Sequence, residues 1–182
     1  LDLARRFDEV SAFSLGAPNY GAALREGILR ARGEVVICEE IDLCDVAFHE
    51  QASAIIERNE AEFVIGSKLL DGSLDERPFS RHAASLLYNG LLRALVGYRG
   101  TDTHGLKAFK REALLPVIEQ CRLDRDVFAS ELVIRADRTH VVVKEIPVSI
   151  REKRPPSINL TKRVPAVLKL LAKLTWSIRS SR

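Results

Sequence analysis

The chain has 182 residues, a length typical of a single domain. Hydrophobic residues make up 46% of it and charged residues 29%, close to the averages of globular proteins, which excludes collagen-like, disordered and membrane-spanning classes. The net charge of +3 is unevenly distributed: residues 153–182 contain eight Lys or Arg and no acidic residue, so residues 1–152 carry 3 − 8 = −5.

Charge therefore divides the chain into an acidic body, residues 1–152, and a basic tail, residues 153–182. The charge of the tail predicts contact with an anionic partner such as phospholipid headgroups, and a solvated basic helix is the alternative.

Cys38, Cys44 and Cys121 show no Cys-x-x-Cys spacing, so neither a disulfide framework nor a zinc site is indicated. A reducing, cytoplasmic location is therefore expected.

Apolar periodicity and turn residues predict strands and helices that alternate along the chain. In chain order they are a strand at 10–15, a helix at 20–31, a strand at 34–38, a helix at 46–58, a strand at 62–65, a loop at 71–78, a helix at 79–96, a strand at 106–109, helices at 111–119 and 127–138, a strand at 141–150 broken at Pro147, and a helix in the tail. This alternation predicts an α/β fold that binds its ligands at the carboxyl ends of the strands.

An acidic turn, residues 39–42, follows the predicted strand at 34–38. Glu40 and Asp42 are separated by one residue, so both carboxylates can direct oxygens toward one hard cation such as Mg²⁺ or Mn²⁺. Such an ion would bridge a diphosphate and neutralise charge as it leaves. A solvated turn is the alternative, because acidic residues are common in loops.

Several short sequence motifs follow one another along the chain. They are N-Y-G-A-A-L-R-E-G at 19–27, G-E-V-V-I-C-E-E-I-D-L at 33–43, V-I-G-S-K at 64–68, D-T-H-G-L-K-A-F-K-R at 102–111, F-A-S-E-L at 128–132 and K-E-I-P-V at 144–148. This ordered set resembles the motifs of family-2 glycosyltransferases, and within them the polyprenyl-phosphate type, similar to dolichyl-phosphate mannose synthases and bacterial polyprenyl-phosphate glucosyltransferases. The resemblance implies a GT-A fold, in which helices flank a Rossmann-like mixed sheet.

The resemblance also implies roles for three acidic residues. Glu40 and Asp42 would bind the metal and the donor diphosphate, and Asp102 would lie beside the acceptor as the catalytic base. Such a carboxylate orients the acceptor or accepts its proton. A phosphate acceptor is already mostly ionised near neutral pH, so positioning would then matter more than proton transfer. A turn-capping role is the alternative for Asp102.

Three cations, Lys68, Arg81 and Arg151, match positions at which the family places positive charge near donor or acceptor phosphates. Arginine offers a rigid fork to phosphate oxygens, whereas Lys68, in place of the usual arginine, offers a point charge. An ordinary surface cation is the alternative for each of them. Glu131 and Glu145 also lie in matching segments and are expected to be structural as much as functional.

The basic tail predicts an amphipathic helix with Trp176 near its end. Its apolar residues are Val164, Val167, Leu168, Leu171, Leu174 and Ile178, and Lys169 and Lys173 alternate with them. This pattern fits a helix at a membrane interface, with cations on anionic lipid. Packing of the same face against the domain, or against a second subunit in a homo-oligomer, is the alternative.

The segments that open family-2 enzymes, a P-x-Y-N-E-like strand end and a D-D-x-S strand, are absent from the sequence. Residues 1–152 are therefore expected to be a GT-A catalytic domain without its N-terminal β-α-β unit. The predicted function is metal-dependent, inverting transfer of a sugar from a nucleotide-diphosphate sugar to an acceptor, a polyprenyl phosphate, at the cytoplasmic face of a membrane, with no nucleic acid involved. A sugar-phosphate nucleotidyltransferase and a noncatalytic membrane-docking or partner-binding module are the alternatives.

Overall fold

The computed structural model describes residues 2–39, 44–76, 78–125, 127–150 and 160–180. The helices are α1 (Asp2–Arg6), α2 (Tyr20–Arg30), α3 (Val46–Glu57), α4 (Phe79–Val96), α5 (Arg111–Gln120), α6 (Phe128–Asp137) and α7 (Leu160–Arg179). The strands are β1 (Val35–Cys38), β2 (Phe63–Ser67), β3 (Leu74–Asp75), β4 (Leu106–Lys110), β5 (Val143–Pro147) and β6 (Ser149–Ile150).

The predicted elements agree with these bounds to within a few residues, with one clear error. Residues 10–15 were expected to form a strand, but they are irregular and exposed. A segment with strand-forming residues becomes a strand only where a neighbouring strand supplies hydrogen-bond partners. The local sequence does not show whether such a neighbour is present. Two smaller differences are the unpredicted helix α1 and the short strand β3 inside the expected loop at 71–78.

Four strands form a mixed sheet in the order β1-β4-β2-β5. Strand β4 is antiparallel to β1 and β2, and β2 is parallel to β5. The carboxyl ends of β1, β2 and β5 therefore lie at one edge, next to the start of β4, where Cys38 pairs with Lys107 and Gly66 with Leu106. This edge is where ligands of an α/β sheet are expected to bind. The expected mixed sheet flanked by helices is confirmed.

Apolar side chains cover both faces of this sheet. In β2, Phe63 and Ile65 belong to a cluster with α4 to α7, whereas Val64 belongs to a second cluster with α3. All five residues of β2 are buried, which explains why Phe63, Val64 and Ile65 are all apolar instead of alternating with polar residues. The rings of Phe63 and Phe109 meet edge to face with centroids 5.7 Å apart, which ties β2 to β4 within the larger cluster.

Helix α7 is part of this core. Leu171, Leu174 and Ile178 are buried in the larger cluster, so this part of the predicted apolar face packs against the domain. Leu168, predicted for the same face, is instead exposed, as is Trp176. Within the described part of the chain, no helix combines the length and the apolar character needed to cross a bilayer.

Candidate functional site

Two segments meet at the carboxyl edge of the sheet. Lys68 directly follows β2, and Asp102 lies in the segment that connects α4 to β4. Helix α4 ends at Gly97, whose φ of 68° is readily available to glycine and lets the chain turn back toward the sheet. The edge thus brings together two residues that are separated by 34 positions in the sequence.

Close backbone approach at this edge requires glycine. A methyl group on Gly105 would lie 1.8 Å from the carbonyl oxygen of Gly66, and one on Gly66 would lie 2.6 Å from Cγ1 of Val148. A side chain at either position would therefore force neighbouring atoms to shift. The two glycines let the turn after Asp102 lie directly against the end of β2.

Lys68 and Asp102 form a buried ion pair. The ammonium Nζ of Lys68 lies 2.5 Å from Oδ2 of Asp102, and the two side chains are only 8% and 1% exposed. The backbone N–H of His104 donates to the other carboxylate oxygen, Oδ1, at 2.9 Å. Each charge thereby compensates the other in a place where a single charge would be strongly unfavourable.

The electrostatic surroundings keep Asp102 ionised. Burial by itself raises the pKa of this carboxyl, but the charge and hydrogen bond of Lys68, together with the N–H of His104, outweigh burial and lower its pKa below the usual range. A carboxylate with a lowered pKa accepts a proton less readily. The geometry therefore favours the orienting part of the predicted role of Asp102 over proton transfer, and the base role stays a prediction.

Glu145, on β5, holds the turn that carries Asp102. One of its carboxylate oxygens, Oε1, accepts the backbone N–H of Thr101 at 2.8 Å and that of Asp102 at 3.3 Å. The other, Oε2, accepts the hydroxyl of Thr101 at 2.8 Å. A methyl group on Gly100 would lie 2.7 Å from Oε1 of Glu145, so the turn needs glycine there. Sequence analysis expected Glu145 to be structural as much as functional, and these contacts place it one hydrogen bond from Asp102.

The phenol of Tyr98 completes this network. Its hydroxyl lies 3.1 Å from the carbonyl oxygen of Asp102 and 3.4 Å from Oε1 of Glu145. Burial, followed by the charges of Glu145 and Asp102, raises the pKa of Tyr98 far above its usual range, so the hydroxyl remains a donor. Sequence reasoning missed Tyr98, since an aromatic residue just after a helix carries no signal of such a contact.

A row of hydroxyl groups connects α4 and α6 to the same turn. The Tyr88 hydroxyl lies 3.0 Å from Oγ of Ser130, which lies 2.8 Å from Oγ1 of Thr103. The ring of Tyr88 also meets His104 edge to face, with centroids 5.1 Å apart. These residues were not predicted as site residues, although Ser130 lies in a matched motif.

A cavity lies between the start of α2, the end of β1 and the start of β4. Its lining includes Tyr20, Leu24, Cys38, Glu39, His104 and Lys107. Lys107 is buried and donates to the carbonyl oxygen of Gly105 at 2.7 Å. Burial, partly opposed by the Lys107 charge, raises the pKa of the Cys38 thiol to about 11. The cavity therefore places a buried cation beside the residue that opens the acidic turn.

Glu39, the first residue of the acidic turn, has a structural role. Its Oε1 accepts the backbone N–H of Asp45 at 2.5 Å, and its Oε2 lies 3.1 Å from Nε2 of His49. The predicted metal ligands Glu40 and Asp42 lie outside the described residues and stay predictions. Among the residues that the structure does describe, no group of three or more His, Cys, Asp or Glu is arranged to hold a metal ion.

The three predicted phosphate-binding cations differ in their surroundings. Lys68 is paired with Asp102. Arg81 lies in the first turn of α4, where its N–H donates to the carbonyl oxygen of Pro78 at 2.8 Å and its side chain is half-buried. Arg151 lies outside the described residues. Phosphate binding by all three stays a prediction.

Similarity to characterised proteins extends over most of the chain. It is 26% identical over 160 residues to the glycosyltransferase AglD of Haloferax volcanii, an alignment that covers 87% of this chain and 26% of AglD. It is 28% identical over 183 residues to a dolichyl-phosphate beta-glucosyltransferase of Trichomonas vaginalis, covering 94% of this chain and 55% of the relative. The chain is thus similar in sequence to glycosyltransferases over most of its length, which supports the resemblance to the family-2 enzymes. No family model matches the sequence.

Two solved structures share the fold of this chain. A mycobacterial protein superposes with a TM-score of 0.57 at 21% identity, covering 94% of this chain and 54% of that chain. Glucosyl-3-phosphoglycerate synthase from Mycobacterium tuberculosis, in complex with phosphoglyceric acid, superposes with a TM-score of 0.53 at 16% identity. The superposition covers 94% of this chain and 57% of that chain. At these identities the likeness concerns the fold, and the predicted GT-A fold is confirmed. The chain spans about a quarter and about half of the two curated relatives' lengths.

Proposed function

We propose that the protein transfers a sugar from a nucleotide-diphosphate sugar to a polyprenyl phosphate, by a metal-dependent displacement that inverts the anomeric carbon. The observation that carries the proposal is the placement of the Lys68–Asp102 pair at the carboxyl edge of a GT-A sheet. Because β4 lies between β1 and β2, the turn of Asp102, which precedes β4, lies between Lys68, which follows β2, and Glu39, which follows β1. Donor and acceptor groups would meet at that point.

The residues of the acidic turn fit a hard cation. Glu39 accepts the N–H of Asp45 and lies beside His49, so the proposal assigns the metal to the other two carboxylates of this turn in the sequence, Glu40 and Asp42. Carboxylate oxygens are the ligands that Mg²⁺ and Mn²⁺ prefer. When bound, the ion would neutralise the diphosphate as it leaves.

Asp102 would orient the acceptor. Its low pKa keeps the carboxylate charged, and its contacts with Lys68 and with the N–H of His104 fix its two oxygens in place. A phosphate acceptor needs little proton removal, so holding it in line with the anomeric carbon is the larger contribution. Attack opposite the leaving diphosphate in a single displacement gives inversion.

The test is transfer by the full natural protein with several nucleotide sugars, polyprenyl phosphate and Mg²⁺ or Mn²⁺. We expect Asp42→Asn to abolish transfer and the metal-dependent part of donor affinity in calorimetry, and we expect excess chelator to have the same effect. Asp8→Asn is the matched control, because it makes the same change at an exposed carboxylate that lies far from Asp42 in the sequence. Equal turnover by Asp42→Asn and wild type would remove Asp42 from the mechanism, and an α-linked product from an α-linked donor would contradict inversion.

We further propose that the outer faces of α4 and α7 contact an anionic membrane. The two helices pack against each other, and Nη2 of Arg179 donates to the carbonyl oxygen of Leu95 at 2.8 Å. Neither helix contains Asp or Glu. Among the residues of the two helices whose exposure the structure describes, the exposed large apolar side chains are Phe79, Leu86, Leu87, Leu95, Leu168 and Trp176. Apolar side chains among cations and without acids are the chemistry that an anionic lipid interface accepts.

Trp176 is the chain's one tryptophan, so its fluorescence reports on this face directly. We expect a blue shift with vesicles of phosphatidylcholine and phosphatidylglycerol, and little change with phosphatidylcholine alone. Lys169→Glu together with Lys173→Glu should abolish the shift, since each nearby cation contributes about 1 kcal/mol. An unchanged spectrum together with a stable dimer in sedimentation would assign the face to a second copy of the chain instead.

A further inference from the structure

Glu145 connects the turn of Asp102 to the sheet. Its carboxylate accepts two backbone N–H groups, of Thr101 and Asp102, and the hydroxyl of Thr101. A carboxylate has about four lone-pair sites, so these three donors and the nearby Tyr98 hydroxyl use most of its capacity. The hydrogen-bonding capacity of Glu145 is thus used by the protein's own turn, which leaves little for a ligand.

The strand register fixes where this carboxylate lies relative to Lys68. Glu145 pairs with Ile65 of β2, and β2 runs on directly into Lys68. A second connection reinforces the first, because Oγ of Ser67 lies 2.6 Å from Oγ1 of Thr101. The ends of β2 and β5 therefore hold the backbone that carries Asp102, and this backbone determines where its carboxylate meets the ammonium of Lys68.

We infer that Glu145 is a positioning residue for sugar transfer: by holding the backbone at Thr101 and Asp102, it keeps the Asp102 carboxylate in the orientation that the acceptor requires. The inference rests on the proposed function. Glutamine cannot replace Glu145, since its amide offers one acceptor oxygen and would direct an NH₂ group at N–H donors. Misplacement of a reacting group by about 1 Å lowers rates by about 100-fold.

Glu131 offers a matched control for a purely structural effect. It is a buried carboxylate that likewise accepts backbone N–H groups, those of Arg122 at 3.0 Å and Leu123 at 2.8 Å. It also accepts the hydroxyl of Ser177 at 2.7 Å, and Arg135 pairs with it at 2.8 Å. These contacts connect α6 with α7 and do not include the turn of Asp102, so loss of Glu131 should cost stability without changing the orientation of Asp102.

The experiment compares Glu145→Gln, Thr101→Val and Glu131→Gln with wild type in the full natural protein. We expect Glu145→Gln to lower kcat about 100-fold while donor affinity in calorimetry changes less than twofold. Thr101→Val, which removes one hydroxyl but keeps both backbone N–H groups, should lower kcat less. Glu131→Gln should keep kcat close to wild type at a temperature where all variants are folded.

Two outcomes would overturn the inference. One is a Glu145→Gln variant with wild-type kcat, and the other is a loss of kcat in Glu131→Gln as large as that in Glu145→Gln. Amide NMR provides a readout that needs no turnover: Glu145→Gln should shift the Thr101 and Asp102 amide resonances, and Glu131→Gln should leave them unchanged. If wild type transfers no sugar, the proposed function fails, whereas the amide shifts still decide whether Glu145 positions this turn.

Discussion

The ammonium of Lys68 lies 2.5 Å from the carboxylate of Asp102, with both side chains almost completely buried. Sequence analysis assigned these residues separate roles, one as a phosphate-binding cation and the other as an acceptor-side base. As a pair, each neutralises the other before any substrate arrives. An acceptor phosphate would therefore have to share Lys68 with Asp102, so disturbing either residue should affect both stability and transfer.

Replacing Asp102 by Asn should lower the free energy of unfolding by roughly 3–5 kcal/mol near neutral pH, because the buried charge of Lys68 loses its partner. The folded-state pKa of Asp102 is lowered, so its contribution is present above the unfolded pKa of about 3.9 and is lost as pH falls through the folded pKa. Urea unfolding of both proteins from neutral to acid pH should show a stability difference that shrinks in acid. A difference independent of pH would contradict the ion pair.

Gly105→Ala should be strongly destabilising, by roughly 3 kcal/mol, since the added methyl would lie 1.8 Å from the backbone oxygen of Gly66 and the backbone would have to shift. Gly90→Ala is the matched control, because nothing lies within 4 Å of a methyl at this helical position. It should instead stabilise the protein by up to about 1 kcal/mol. Thermal unfolding of the two variants would show opposite shifts of Tm, and shifts of the same sign would contradict this packing.

Leu174→Ala and Leu168→Ala should separate the two faces of α7. Leu174 is fully buried, so its truncation should cost roughly 2–5 kcal/mol of unfolding free energy. Leu168 is exposed, so its truncation should change stability by less than about 0.5 kcal/mol but weaken binding to anionic vesicles. Denaturant unfolding and vesicle sedimentation measure these effects, and similar losses of stability in the two variants would mean that α7 packs differently.

One of the three thiols should react quickly with a disulfide-exchange reagent at about pH 8, where an ordinary thiol is partly ionised. Cys44 is exposed, whereas burial raises the pKa of Cys121 to about 12 and that of Cys38 to about 11. Absorbance should therefore show a fast phase of one thiol, which Cys44→Ser removes. Rapid modification of Cys121 in the folded protein would indicate that the helices around it open readily.

Local pattern predicted most elements but not their pairing. Residues 62–65 were predicted to form a strand, and the structure places the strand β2 there with every residue buried. Residues 10–15 were also predicted to form a strand, yet they are exposed and irregular. A strand is completed by its neighbours in the sheet, and those neighbours lie far away along the chain, so periodicity alone cannot distinguish the two cases.

The sequence by itself determined the α/β class, the order of the motifs and, through them, the resemblance to family-2 glycosyltransferases, because these depend on residue types at short spacings. Only the tertiary structure decided that Lys68 pairs with Asp102, that Glu145 holds the turn of Asp102 and that Leu171 and Leu174 belong to the core. The two site contacts join residues 34 and 43 positions apart. Their energies depend on burial and on the path of the backbone, which emerge when the sheet assembles.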